Sequence, residues 1–225
     1  MVDNFRIKMK KVVSERTGKP FSGSSINKMV SLARRIYYLA MDAGMVKSNP
    51  FARRGTFREE PKGHYIPDQE FREIQKHLPE YLKPVILVAY LTGMRRGEIL
   101  ELKWDRVNLS EGYVDLTPDD TKTDEPRRIY FGNMKELKDV FIDAARKKKA
   151  GQELVFTKED GSPVPKWYIQ RLFKKACLKV KVYPYRLHDL RHTFNTNMTK
   201  AGVDQVVIMT LTGHKTNAMF LRYSH

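Results

Sequence analysis

The chain has 225 residues, room for one large or two small domains, and carries 42 Lys plus Arg against 26 Asp plus Glu, a formal net charge of +16. An excess of that size points to nucleic acid as the partner, or less commonly to an anionic membrane surface. Membrane insertion is not expected, because the longest strongly apolar run, Val85 to Leu91, falls far short of the roughly 20 residues a crossing needs; no signal peptide is visible at Met1, and the single Cys177 can form no internal disulfide, so the expected setting is reducing and cytoplasmic.

The first clear element is a helix from Ser25 to about Ala43, with Ile26, Met29, Val30, Ala33, Tyr37 and Ala40 as its apolar stripe. Ser24 or Ser25 is its expected cap and Gly44 its stop. Lys28, Arg34 and Arg35 give this helix a basic face, which alone would usually be only a solvated surface. Residues 51–65 lack periodicity and carry Arg53, Arg54, Gly55, Arg58, Pro61, Lys62 and Gly63, the composition of a basic linker. The expected division is therefore a short helical segment over 1–50, a linker over 51–65 and a main domain over 66–225.

In the main domain, Pro67 and Asp68 fit a helix start, with Phe71, Ile74 and Leu78 on one face. The apolar stretch Leu82 to Leu91 reads as a buried helix, and it runs into Thr92-Gly93-Met94-Arg95-Arg96-Gly97-Glu98. The glycine permits a sharp turn that delivers Arg95 to a fixed place at the start of the next helix, with Glu98 three residues on to brace it. Strands follow at Tyr113 to Leu116 and Arg128 to Phe131, with Lys122 in the turn between them. A helix from Met134 to about Lys148, a strand at Leu154 to Phe156 and a helix from Trp167 to Leu178 read as scaffold. A last long helix spans His188 to Ala201, with Leu190, Phe194 and Met198 turned inward, and Asp204 caps one more, ending near Thr210. The fold class is α+β, mostly helical with a small antiparallel sheet.

In Leu187-His188-Asp189-Leu190-Arg191-His192, positions 188, 191 and 192 are related as i, i+3 and i+4, so an arginine fork and two imidazoles are expected on one helical face. That suits an anionic substrate. The same histidine spacing fits a zinc site, but Arg191 would set a cation beside the metal, no strong third ligand is apparent, and cysteine clusters are absent.

Taken in order, Thr92-Gly93-Met94-Arg95 with Glu98, Thr121-Lys122-Thr123, His188 with Arg191, Gly213-His214, and Tyr223 nine residues beyond His214 form an ordered constellation. On these motifs the chain, over roughly residues 25 to 225, resembles the tyrosine recombinase, or phage integrase, family. The resemblance implies DNA strand exchange through a covalent 3'-phosphotyrosine, with Tyr223 as nucleophile. It implies that Arg95 and Arg191 clamp the scissile phosphate, His214 donates to a non-bridging oxygen, His188 assists proton removal or orientation, and Lys122 protonates the leaving 5'-oxygen. Glu98, His192 and Asp189 would be supports, and Lys28, Arg34, Arg35, Arg53 and Arg54 DNA contacts. Exchange of one phosphate ester for another conserves the bond, so no metal, ATP or other cofactor is expected. The implied partners are double-stranded DNA and further copies of the chain, a tetramer in the synapse and a monomer in solution. Fewer helices than usual in the family precede the linker, no separate amino-terminal arm-binding domain is evident, and the chain stops two residues after Tyr223, where relatives commonly continue into a segment that docks on a neighbour. The alternative is a DNA-binding protein that keeps the fold without turnover.

Overall fold

The computed structural model describes residues 2–15, 17–52, 56–57, 63–120 and 126–213. The chain divides into two compact units, Met1–Pro61 and Lys62–His225.

The first unit is built on α1 (Val2–Lys11) and α2 (Gly23–Asp42). Helix α2 begins two residues before its expected start, because Ser22, rather than Ser24 or Ser25, accepts the Ser25 N–H and caps it. Ile26 and Val30 are buried and Met29, Ala33, Tyr37 and Ala40 half-buried, the expected stripe. Buried Asn27 clamps the Phe57 backbone, its Nδ2 donating to the Phe57 carbonyl (2.9 Å) and its Oδ1 accepting the Phe57 N–H (2.8 Å). The Phe57 ring lies beneath Arg6 and Lys10. Helix α1 was not foreseen: it is too basic to show an apolar stripe, and it is held through contacts such as the edge-on packing of Phe5 against Phe51 at 6.2 Å.

The second unit begins with α3 (Asp68–Lys76), entered through Pro67, and α4 (Lys83–Thr92), which is buried almost all round. The Phe71 and Tyr90 rings stack across these two helices at 3.7 Å. After the short α5 (Arg96–Leu100), a three-stranded antiparallel sheet forms in the order β1 (Val107–Asn108), β2 (Tyr113–Leu116), β3 (Arg127–Tyr130), with Val114 opposite Ile129 and Leu116 opposite Arg127. Helices α6 (Lys135–Arg146), α7 (Lys166–Val180), α8 (Leu187–Lys200) and α9 (Gln205–Thr212) complete the unit. This mostly helical architecture with a small antiparallel sheet is the one expected.

Two expectations fail. Leu154 to Phe156 form no strand: the segment makes an isolated bridge, Leu154 opposite Lys103, with Trp104 N–H donating to Glu153 O and Val155 N–H to Leu102 O. No ladder continues beyond that bridge. Helix α8 is not amphipathic in the expected sense, since Phe194 and Met198 are only half-buried while Asp189, Leu190, Arg191, His192, Thr193, Asn195 and Thr196 are all buried. Asp189 and Arg191 reach the interior because tertiary partners take their hydrogen bonds, while Thr193 and Thr196 donate within the helix to Asp189 O and His192 O.

Candidate active site

The turn after α4 is dictated by Thr92 and Gly93. Thr92 Oγ1 donates to Val88 O (2.6 Å) and accepts the Met94 N–H (3.2 Å), which ties the turn back to the helix. Gly93 ends α4 in the left-handed region, at φ 64°. A Cβ there would lie 2.6 Å from Phe194 Cδ1 and 3.2 Å from Thr212 Cγ2, so both the conformation and the space demand glycine. Arg95 then stands at the N-cap of α5, and Glu98 accepts its backbone N–H through Oε2 (2.7 Å) and its Nη1 through Oε1 (2.9 Å). The expected brace is in place. It is no weak surface pair, because the Glu98 side chain is only 3 % exposed.

Arg186 stands at the N-cap of α8, and its N–H donates to Asp189 Oδ2 at 2.7 Å. Arg191 is buried; its Nη1 donates to Gly93 O at 2.8 Å and its Nη2 to Thr212 O. His188 has an exposed edge but is otherwise hemmed in by protein. Desolvation, then Arg191, with smaller effects from Arg186 and Arg95 and opposed by Asp189, pushes its pKa down from 6.5 to about 4. Its imidazole is therefore neutral near pH 7, and the same surroundings make it a weaker base than a free histidine.

His192 does not join this face as a ligand for an anion. Its buried ring packs on the backbone at Gly63, where a Cβ would come within 2.9 Å of Cγ. The neighbouring bonds belong to the same strap: His64 N–H donates to Asp189 Oδ1 (3.3 Å) and Ile66 N–H to Thr193 Oγ1 (2.9 Å). One side of α8 thus carries Arg191 to α9, while the other fastens residues 63–66.

Sequence reasoning missed Arg127. In β3 it alternates inward with Ile129, while Arg128 and Tyr130 face out, and its side chain is only 2 % exposed. Its Nη2 donates to Glu98 Oε2 and its Nε to Leu211 O at 2.9 Å. The period of two along β3 was the available signal. Burial pulls the Arg127 pKa down and Glu98 holds it up, but a guanidinium stays protonated.

Three guanidiniums therefore dock on three successive carbonyls at the end of α9: Arg127 on Leu211, Arg191 on Thr212, and Arg95 on Gly213 (2.7 Å). These are carbonyls a helix C-terminus leaves without intrahelical partners, at the negative end of its dipole. Gly213, at φ 64°, caps the helix, and a Cβ on it would sit 3.0 Å from Arg127 Nη1 and 3.3 Å from Arg95 Nη1.

Lys122, His214 and Tyr223 lie outside the described residues, as do Arg53 and Arg54. In the first unit Lys28 and Arg35 are exposed, whereas Arg34 is half-buried and donates through Nε to Phe51 O at 2.8 Å. Among the described residues no group of three or more His, Cys, Asp or Glu side chains could hold a metal ion. Cys177 is buried, and burial pushes its thiol up to about 11, which disfavours the nucleophilic thiolate.

The family model described as the phage integrase family matches residues 65–225. Tyrosine recombinase XerC of Lactobacillus leichmannii is 28% identical over 226 residues, covering 93% of this chain and 74% of that protein. The fold is similar to that of the Tn1549 transposon integrase in complex with a circular intermediate DNA, at TM-score 0.80 and 18% identity, covering all of this chain and 80% of the other. It is likewise similar to a lambda integrase in a tetramer bound to a Holliday junction, at TM-score 0.75 and 16% identity, covering all of this chain and 76% of the other. With the family's model matched over residues 65–225, the stretch that holds Arg95, His188 and Arg191, the chain belongs to the phage integrase, or tyrosine recombinase, family.

Proposed function

We infer that the chain is a site-specific DNA recombinase that cleaves and rejoins strands through a covalent 3'-phosphotyrosine. The observation that carries this reading is the convergence of Arg95, Arg127 and Arg191 on the last carbonyls of α9, directly ahead of His214 and Tyr223 in the chain. In the proposed step the Tyr223 oxygen bonds to phosphorus and the bond to the 5'-oxygen breaks. The tyrosyl proton passes to neutral His188, Lys122 supplies a proton to the leaving 5'-oxygen, and Arg95, Arg191 and His214 hold the phosphoryl oxygens. Fixed cations favour the charge that builds on those oxygens, and loss of one such donor costs on the order of 100- to 1000-fold. A tyrosine with a pKa near 10 needs roughly 4 kcal/mol to ionise at pH 7, a cost that the cations of the site lower by favouring the phenolate. The ester exchange conserves its bond, so the step calls for neither ATP nor a metal. Glu98 supports Arg95; Asp189 and His192 support α8.

Double-stranded DNA is the proposed partner, in keeping with the +16 balance and with the DNA held by the Tn1549 and lambda integrases. We assign residues 66–225 to catalysis, 1–50 to DNA clamping and 51–65 to the linker, with Lys28, Arg34, Arg35, Arg53 and Arg54 on phosphates. Assembly on DNA follows the tetramer of lambda integrase, with a monomer in solution. No helix among the described residues is long and apolar enough to cross a membrane, and the proposed location is the cytoplasm, with the DNA. Incubation with a nicked duplex, from which the short fragment carrying the freed 5'-hydroxyl diffuses away after cleavage, separates an enzyme from a mere binder. A protein–DNA adduct stable in denaturing detergent is expected, and tight binding without any adduct would overturn the reading.

A further inference from the structure

We propose that Arg127 is a positioning residue of the active site, one that keeps Arg95 an effective cation by sharing its carboxylate partner. The inference rests on the recombinase reading. Arg95 faces a difficulty that its own surroundings create. It must attract a phosphate, yet Glu98, which fixes its orientation through two hydrogen bonds, also neutralises it. In a largely dry site that cancellation is severe, since charges a few ångströms apart are poorly screened there. Arg127 resolves it. Its Nη2 binds the same Glu98 Oε2 that holds the Arg95 backbone, so two guanidiniums share one carboxylate and the cluster keeps a net positive charge. Meanwhile its Nε bond to Leu211 O fixes the end of α9 beside the carbonyls taken by Arg191 and Arg95.

Stability alone does not account for this arginine. Its third nitrogen, Nη1, is buried with no hydrogen-bond partner among the described residues, which is a costly way to fill an interior position. Replacement of a buried ion pair by apolar or neutral groups of similar volume is often neutral or stabilising, so a scaffold position of this kind would be better filled by an apolar side chain. The retained cation is explained by its charge and by the way it holds Glu98.

The test is a set of three variants on the full chain, each measured for folding by urea titration, for affinity to a nicked duplex, and for the single-turnover rate of adduct formation at saturating protein. Arg127→Met leaves Glu98 to neutralise Arg95 alone, and should lower the rate on the order of 100-fold with little change in DNA affinity. Arg127→Lys keeps the charge and should recover most of that loss. The double variant Glu98→Gln with Arg127→Met removes the neutralising anion together with its counter-cation, so it should be faster than Arg127→Met by roughly 10-fold or more, the size of coupling expected between groups in one network. If the double variant is as slow as Arg127→Met although both are folded, Arg127 does not act through the charge of Glu98 and the proposal fails. It fails equally if Arg127→Met keeps the wild-type rate, or if its loss tracks only the unfolded fraction. If the wild-type chain itself yields no adduct, the recombinase reading falls and takes this inference with it.

Discussion

Replacing Gly93 with alanine should be among the most damaging single-methyl additions in the chain. Its φ of 64° lies in the left-handed region, where a residue with a Cβ is disfavoured by about 1–2 kcal/mol. The new methyl would also sit 2.6 Å from Phe194 Cδ1 and 3.2 Å from Thr212 Cγ2, and overpacking of that kind costs typically about 1–3 kcal/mol. The total, about 2–5 kcal/mol, is a large share of the roughly 5–15 kcal/mol that holds a domain folded. Gly202 supplies the control, because its φ is 76° but nothing lies within 4 Å of its Cβ position. Gly202→Ala should therefore lose only the conformational part. Asparagine tolerates the left-handed region, so Gly93→Asn should regain that part and keep the clash. The assay is urea unfolding of the full chain with the slopes compared, since a common slope lets midpoints report stability. The carbonyl of Gly93 is the acceptor for Arg191, so adduct formation should fall further in Gly93→Ala than the folded fraction does. Equal losses for Gly93→Ala and Gly202→Ala would refute the packing argument.

Three other outcomes are expected. His188 has a folded-state pKa of about 4, below its ordinary 6.5, so its contribution to stability is complete above pH 6.5 and is lost as pH falls toward 4; the acid limb of the adduct-formation rate should likewise centre near 4, and a midpoint near 6.5 in the wild type would count against a neutral His188. Lys122→Ala should slow cleavage by about 100- to 10,000-fold, as for a lost general acid, and DNA with sulfur at the bridging 5' position should relieve most of that defect; no relief would make the lysine a phosphate contact only. With a charge balance of +16, DNA affinity should fall steeply with salt, by a slope of about 0.9 in the logarithmic plot for each phosphate neutralised; an affinity nearly independent of salt would contradict an extended clamp.

The parts of this fold that could be read from sequence are those set by local rules. Helix α4 and the turn at Gly93 were legible because an apolar run ending in glycine before Arg95 leaves few alternatives, and β2 with β3 because their side chains alternate. What stayed hidden depends on partners far away in the chain. The interior of α8 is polar because Arg191 meets Gly93 and Thr212, and because Asp189 and Thr193 meet the backbone of residues 64 and 66, more than a hundred positions earlier. His192 shares a spacing with His188 and Arg191 yet packs on Gly63, since neighbours three and four apart still fan across a wide arc. Arg127 obeyed the same alternation that located β3, but a charged residue is rarely assigned to an interior face. Leu154 to Phe156 had a strand's composition and no partner strand beyond a single bridge.

The central claim is that Tyr223 attacks the phosphate that the arginine cluster holds. It is tested most directly by trapping the protein on a nicked duplex, digesting the adduct and identifying by mass spectrometry the residue that carries the DNA, with Tyr223→Phe run in parallel. The account predicts DNA on Tyr223 in the wild type, and in Tyr223→Phe an affinity within about twofold of wild type, because only a hydroxyl is lost, with no adduct. DNA attached to any other residue, or an adduct that survives Tyr223→Phe, would contradict it.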